Sequence, residues 1–185
     1  MGNSLSGLRT VYSVVIALSV TEAIKLIFDI GVYKTTYGIN LELLPTFIIF
    51  IITLIPFYQG ANKYLSEIQK DKNHKASFER IIDFAFFFLE SLLFYWIALL
   101  INEKILFFKI INVLLALDIL WLLSVRCFNK DLFSKMKWWC NLNIIAIILL
   151  LISFYYNFYD VNILLLMFFL RTFFDYLFSW KFYWD

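Results

Sequence analysis

Residues 104–126 read KILFFKIINVLLALDILWLLSVR, an apolar run in which Lys109 and Asp118 are the only charges between its basic ends. A run of about 20 apolar residues, rising about 1.5 Å each, crosses the roughly 30 Å hydrocarbon layer of a bilayer. Five further runs of that kind lie at about 10–31, 42–59, 79–101, 137–158 and 161–182. The weakest, 42–59, is bracketed by Pro45 and Pro56. Pro45 fits a first helical turn at no cost, whereas Pro56 is expected to kink or end the helix.

The composition requires such an arrangement. Of 185 residues, 63% are hydrophobic and only 16% charged, against roughly 45–50% and about 25% in soluble domains. So much apolar surface needs lipid as its solvent. The reading is therefore an all-α polytopic membrane helix bundle of six transmembrane helices, with residues 1–185 forming a single transmembrane domain. The interrupting charges Glu22, Lys25 and Asp29 set the first run apart from a cleaved signal peptide.

The placement of charge gives the orientation. Arg9, Lys63, Lys70, Lys72, Lys75, Arg80, Arg126, Lys130, Lys135, Lys137 and Lys181 fall on the side that holds both termini, and only Lys34 and Lys104 on the other. Basic connectors stay in the cytoplasm, which predicts N-in and C-in. Trp138, Trp139, Trp180 and Trp184 at one edge and Tyr155, Tyr156 and Tyr159 at the other supply the aromatic belts. The expected home is a bacterial cytoplasmic (inner) membrane.

Residues 60–77 read as a cytoplasmic connector carrying a short helix, with Lys63 and Glu67 at i,i+4 and a thin stripe of Tyr64, Leu65 and Ile68. It is the one segment on which a cytoplasmic protein partner could dock. The single histidine, His74, lies in this connector, and Cys127 and Cys140 lie in or beside a basic connector where reducing conditions oppose a disulfide. No His-Glu-x-x-His, Gly-x-Ser-x-Gly or Gly-x-Gly-Asp pattern is present. The expectation is no enzyme, no cofactor, no metal site and no nucleic-acid partner.

The spans carry charges that lipid would not accept. One ionised side chain at mid-membrane costs roughly 2.5–3.5 kcal/mol, and each Leu, Ile, Val or Phe returns only about 0.3–0.6 kcal/mol. Glu22, Lys25 and Asp29 share an arc of about 60° on the first helix, and Glu79, Asp83 and Glu90 an arc of about 40° on the third. The fourth helix adds Asp118, and the sixth adds Arg171 and Asp175 at i,i+4. Counted from the basic edge at about 1.5 Å per residue, Asp118, Glu90, Arg171, Glu22 and Lys25 fall in one slab roughly 12 to 22 Å deep. The expected pairs are Lys25 with Glu90 and Arg171 with Asp118. Asp29 and Asp83, nearer the interfaces, read as solvated or capping residues. The fifth helix, with no charge in its span but with Asn141 and Asn143 near its basic end, is the expected lipid-facing periphery.

Intramembrane ionisable residues mark ion or proton paths by default, while balanced pairs equally serve to fix helix register. Glu22, Lys25, Glu90, Asp118, Arg171 and Asp175 form the candidate ion pathway or buried polar network. The primary expectation is a subunit of a homo-oligomeric channel or pore for cations or protons; no Thr-Val-Gly-Tyr-Gly filter specifies an ion. The alternatives are a non-catalytic membrane partner or effector subunit, as in a stress or defence system, and a small ion-coupled carrier. A carrier would be expected to show repeats and Gly- or Pro-broken midplane helices, which are not evident.

Overall fold

A computed structural model describes residues 2–28, 39–70, 77–158 and 160–184. Its helices are α1 (Gly2–Ile27), α2 (Leu44–Lys70), α3 (Ser77–Leu99), α4 (Lys104–Phe128), α5 (Lys130–Tyr155), α6 (Val161–Phe178) and a short α7 (Trp180–Trp184). Six of them are long and apolar enough to cross a membrane, so the chain is an all-helical integral membrane protein. Asp29, Lys34 and the segment 71–76, with Lys72, His74 and Lys75, lie outside the described residues.

Two boundaries differ from the sequence expectation. α2 runs through Pro56 and on to Lys70, so the first part of the expected connector is a continuation of the second span. Proline has no N–H for the carbonyl four residues back, which is Ile52. That carbonyl is accepted into another partnership: the Thr172 hydroxyl of α6 donates to Ile52 O at 3.0 Å. A neighbouring helix thus satisfies the group that Pro56 orphans, which is how membrane helices tolerate proline. The stripe of Tyr64, Leu65 and Ile68 is buried in the bundle (5%, 2% and 5% exposed) and offers no free docking face. The other difference is at 126–137, where Asn129 alone separates α4 from α5. Its side chain accepts from Leu132 N at 2.9 Å and starts the next helix within one residue.

The six long helices pack as a closed ring of neighbours in the order α1–α3–α4–α5–α6–α2, with α2 also touching α3. α4 shows why the ring closes. Its buried positions Phe107, Phe108, Ile111, Leu114, Leu115, Asp118, Trp121, Leu122 and Val125 recur at seven-residue spacing, a seam that faces neighbouring helices. Asp118 occupies a position where that seam would otherwise be apolar. Inside, Phe57 meets Phe94 and Trp139 edge-on at 5.4 and 5.5 Å. Gly60 lies against the benzo edge of the Trp139 ring, in space that a Cβ would need. The outside presents apolar side chains such as Val113, Leu120, Ile148, Leu151, Phe169 and Phe173 to lipid. α6, not α5, is the most peripheral span: 22% of its apolar window is buried against 33% for α5.

One end of the ring is cross-tied. Arg9 Nη2 donates to Asn62 O at 3.2 Å and to Ser66 Oγ at 3.3 Å, joining α1 to the extended part of α2. Lys135 approaches Glu67 at 3.9 Å, and the Tyr176 hydroxyl donates to Gln59 Oε1 at 2.6 Å. At the other end Asn157 takes φ 51°, a left-handed conformation that asparagine tolerates. Asp160 then caps α6 by accepting from Asn162 N at 2.8 Å.

Candidate functional site: a buried carboxylate network

The α4 seam delivers Asp118 to the interior at 1% exposure, and α5 delivers Asn143 at 0%. Asn143 Nδ2 donates to Asp118 Oδ2 at 2.5 Å. Asn143 Oδ1 in turn accepts from Arg171 Nε at 3.1 Å and Nη2 at 2.5 Å. A carboxamide has a donor at one corner and an acceptor at the other, so one side chain serves an anion and a cation together. The expected direct pairing of Arg171 with Asp118 is therefore relayed through Asn143, on a helix whose uncharged span predicts a place at the periphery. The Arg171 guanidinium also stacks over the Phe57 ring, 5.5 Å from its centroid, a contact strengthened by desolvation.

Asp175 is fully buried, and its hydrogen bonds go to hydroxyls: Ser179 Oγ donates to Oδ1 at 3.1 Å and Tyr183 Oη to Oδ2 at 2.7 Å. The i,i+4 spacing from Arg171 pointed to an ion pair. Instead, the break at Ser179 turns α7 under the bundle and brings Tyr183 back to Asp175. Burial, followed by the nearby Asp175 carboxylate, pushes the Tyr183 phenol well above its ordinary pKa, so it stays a donor.

Asp83 is 3% exposed rather than solvated. The Tyr64 hydroxyl lies 3.0 and 3.1 Å from its two oxygens, and Trp121 Nε1 donates to Oδ1 at 3.0 Å. Its depth was misjudged because the part of α2 beyond Gly60 flanks the start of α3 and covers it.

Glu90 is 1% exposed, and its Oε1 has no hydrogen-bond partner among the described residues; Arg171 Nη1 is likewise buried without one. Lys25, its expected partner, cannot reach it. α1 and α3 both start beside the far end of α2, so they run parallel, and Tyr12 packs on Phe87 at 5.7 Å. Glu90 lies three residues beyond that contact and Lys25 thirteen beyond it. The offset of ten residues is about 15 Å at 1.5 Å per residue. Lys25 instead pairs with Glu22 at 2.7 Å, with side chains 50% and 27% exposed, on the outer flank of α1. Glu22 and Lys25 thus stand apart from the interior network. The charges that act on Glu90 are two other carboxylates, Asp118 and Asp83. Tyr12, also buried with an unpartnered hydroxyl, lies in the electrostatic reach of Glu90 and Asp118.

Among the described residues, the buried charged side chains are Asp83, Glu90, Asp118, Asp175 and Arg171. Four buried carboxylates and one buried guanidinium among the described residues give this polytopic helical membrane protein an acid-rich interior. No protein-family model, curated protein or solved structure matches the chain.

Proposed function

We propose that the chain is a subunit of a membrane assembly that conducts protons or small cations, lying in a bacterial cytoplasmic membrane with both termini inside. The observation that carries this reading is the excess of buried carboxylate over buried cation around Glu90, Asp118 and Arg171. Surplus negative charge in a low-dielectric interior is met by protons, or by water and cations that enter, and both select against anions. A purely structural network would be expected to balance its charges. Orientation rests on the basic side chains gathered at the cross-tied end. Self-association is supported by the Glu22–Lys25 pair on the exposed flank of α1, where a polar neighbour would be better company than lipid.

The test is flux. Purified protein in liposomes, driven by a pH or potassium gradient and read with an internal pH dye, should pass protons or cations. Glu90→Gln keeps shape, so it should fold normally and lose about a hundredfold or more in rate, the scale of a general proton-transfer contribution. Unchanged flux in folded Glu90→Gln would reduce Glu90 to packing. No flux from the wild type would discard conduction and leave the non-catalytic partner subunit.

A further inference from the structure

At the cross-tied end, where α1, α2 and α7 meet, an open cleft of about 390 Å³ is lined by residues that include Arg9, Asn62, Lys63, Ser66, Tyr183 and Trp184. Two of these are cations, and no carboxylate lines the cleft among the described residues. Arg9 is held in place, since Nη2 donates to Asn62 O and Ser66 Oγ, which leaves its other guanidinium donors for a ligand. Lys63 lies one turn before Ser66 on the same face of α2 and makes no hydrogen bond to a described residue. The Ser66 hydroxyl donates to Asn62 O at 2.9 Å and so helps to fix Arg9, while Trp184, 61% exposed, stands at the rim against Trp180, ring centroids 5.4 Å apart. A fixed guanidinium and an ammonium around one hollow are a donor set for phosphate, whose oxygens take forked and point-charge contacts together. The aromatic rim places the hollow at the level of lipid headgroups.

We propose that this cleft binds a phosphate group, as presented by an anionic phospholipid headgroup of the adjoining leaflet or by a soluble phosphate. The site is separate from the conduction reading, since none of its lining residues belongs to the buried carboxylates. It is nevertheless wired to them by one side chain: Tyr183 lines the cleft and donates to Asp175 at 2.7 Å.

The full chain is placed in phosphatidylcholine nanodiscs, with or without phosphatidylglycerol, and bound phosphatidylglycerol is counted by native mass spectrometry alongside the unfolding temperature. A parallel series adds inorganic phosphate to phosphatidylcholine discs. Phosphatidylglycerol should be retained and should raise the unfolding temperature. Lys63→Gln, which removes no hydrogen bond to a described residue and so spares the fold, should weaken that binding about fivefold, the usual share of one basic residue at a membrane surface. Adding Arg9→Gln should weaken it further. The pair Lys130→Gln and Lys137→Gln, an equal loss of charge on α5 at the same end, should leave it unchanged. A response to inorganic phosphate with none to phosphatidylglycerol assigns the same site to a soluble ligand. If neither probe acts, or the α5 pair weakens binding as much as Lys63→Gln, the cleft is not a phosphate site.

Discussion

Asn143 holds Arg171 from the side: a single carboxamide oxygen accepts both Nε and Nη2 of the guanidinium, 28 residues later in the chain. The same amide's nitrogen is committed to Asp118. Anion and cation are thus coupled through a neutral residue, and removal of that residue strands both.

Asn143→Ala should therefore cost more than either charge-neutralising change alone, about 3–5 kcal/mol, the scale for leaving a buried charge unpaired. Unfolding in a detergent series measures it. The coupling between Asp118→Asn and Arg171→Gln in a double-mutant cycle should be on the order of 0.5–3 kcal/mol with Asn143 present and near zero in the Asn143→Ala background. Equal coupling in both backgrounds would show a direct ion pair.

The Thr172 hydroxyl is useful only because Pro56 leaves Ile52 O without its helical donor. Thr172→Val should destabilise by about 0.5–1.5 kcal/mol, the net value of one hydrogen bond. In a Pro56→Ala background the helix supplies its own N–H, so the same change should become close to neutral. Persistence of the full loss there would mean that Thr172 acts by packing.

Gly60 and Trp139 make a steric prediction. Gly60→Ala places a methyl where Trp139 Cζ3 and Cη2 lie, and overpacking of this kind costs about 1–3 kcal/mol. Trp139→Phe withdraws the benzo ring, so the double mutant should recover part of the loss. A double mutant no better than the sum of its parts would place the conflict elsewhere.

Much of this architecture is legible from residues alone, and what is not depends on how the helices sit against one another. The six spans are visible without coordinates as apolar runs, and Asp118 marks the interior side of α4, although lipid-facing Val113, Leu120 and Leu123 are as apolar as the buried positions. Depth along separate helices is not visible in the same way. Counting each span from its own edge puts Lys25 only about four residues deeper than Glu90, while the Tyr12–Phe87 contact sets them about ten residues apart. Asp83 is buried where its sequence position predicts solvation, because a helix expected to kink or stop near Pro56 continues and brings Tyr64 over it. Asn143 was overlooked because hydropathy weighs charge heavily, and a neutral amide that bridges two charges leaves little trace in it.

Orientation is predicted from the basic end. Single cysteines at 103, 130, 160 and 181, in a background lacking Cys127 and Cys140, should separate cleanly in intact cells. Impermeant maleimide should reach 103 and 160, and should reach 130 and 181 only after permeabilisation. Labelling of all four from outside, or a mixed pattern, would refute the arrangement with both termini inside.

The single-residue turn at Asn129 also bears on the order in which the ribosome releases the chain. α4 leaves first, carrying an aspartate that lipid opposes by roughly 2.5–3.5 kcal/mol. Its partner Asn143 follows only 25 residues behind, and the tight turn folds α5 straight back along α4. The hairpin can thus enter the bilayer as one unit with Asp118 already masked. At that moment the amide oxygen of Asn143 still faces outward without a donor. α6 arrives last with Arg171, and its guanidinium has a waiting acceptor. Nascent chains released after Tyr155 should hence insert stably as a hairpin, whereas α6 on its own should depend on that hairpin to be retained in the membrane.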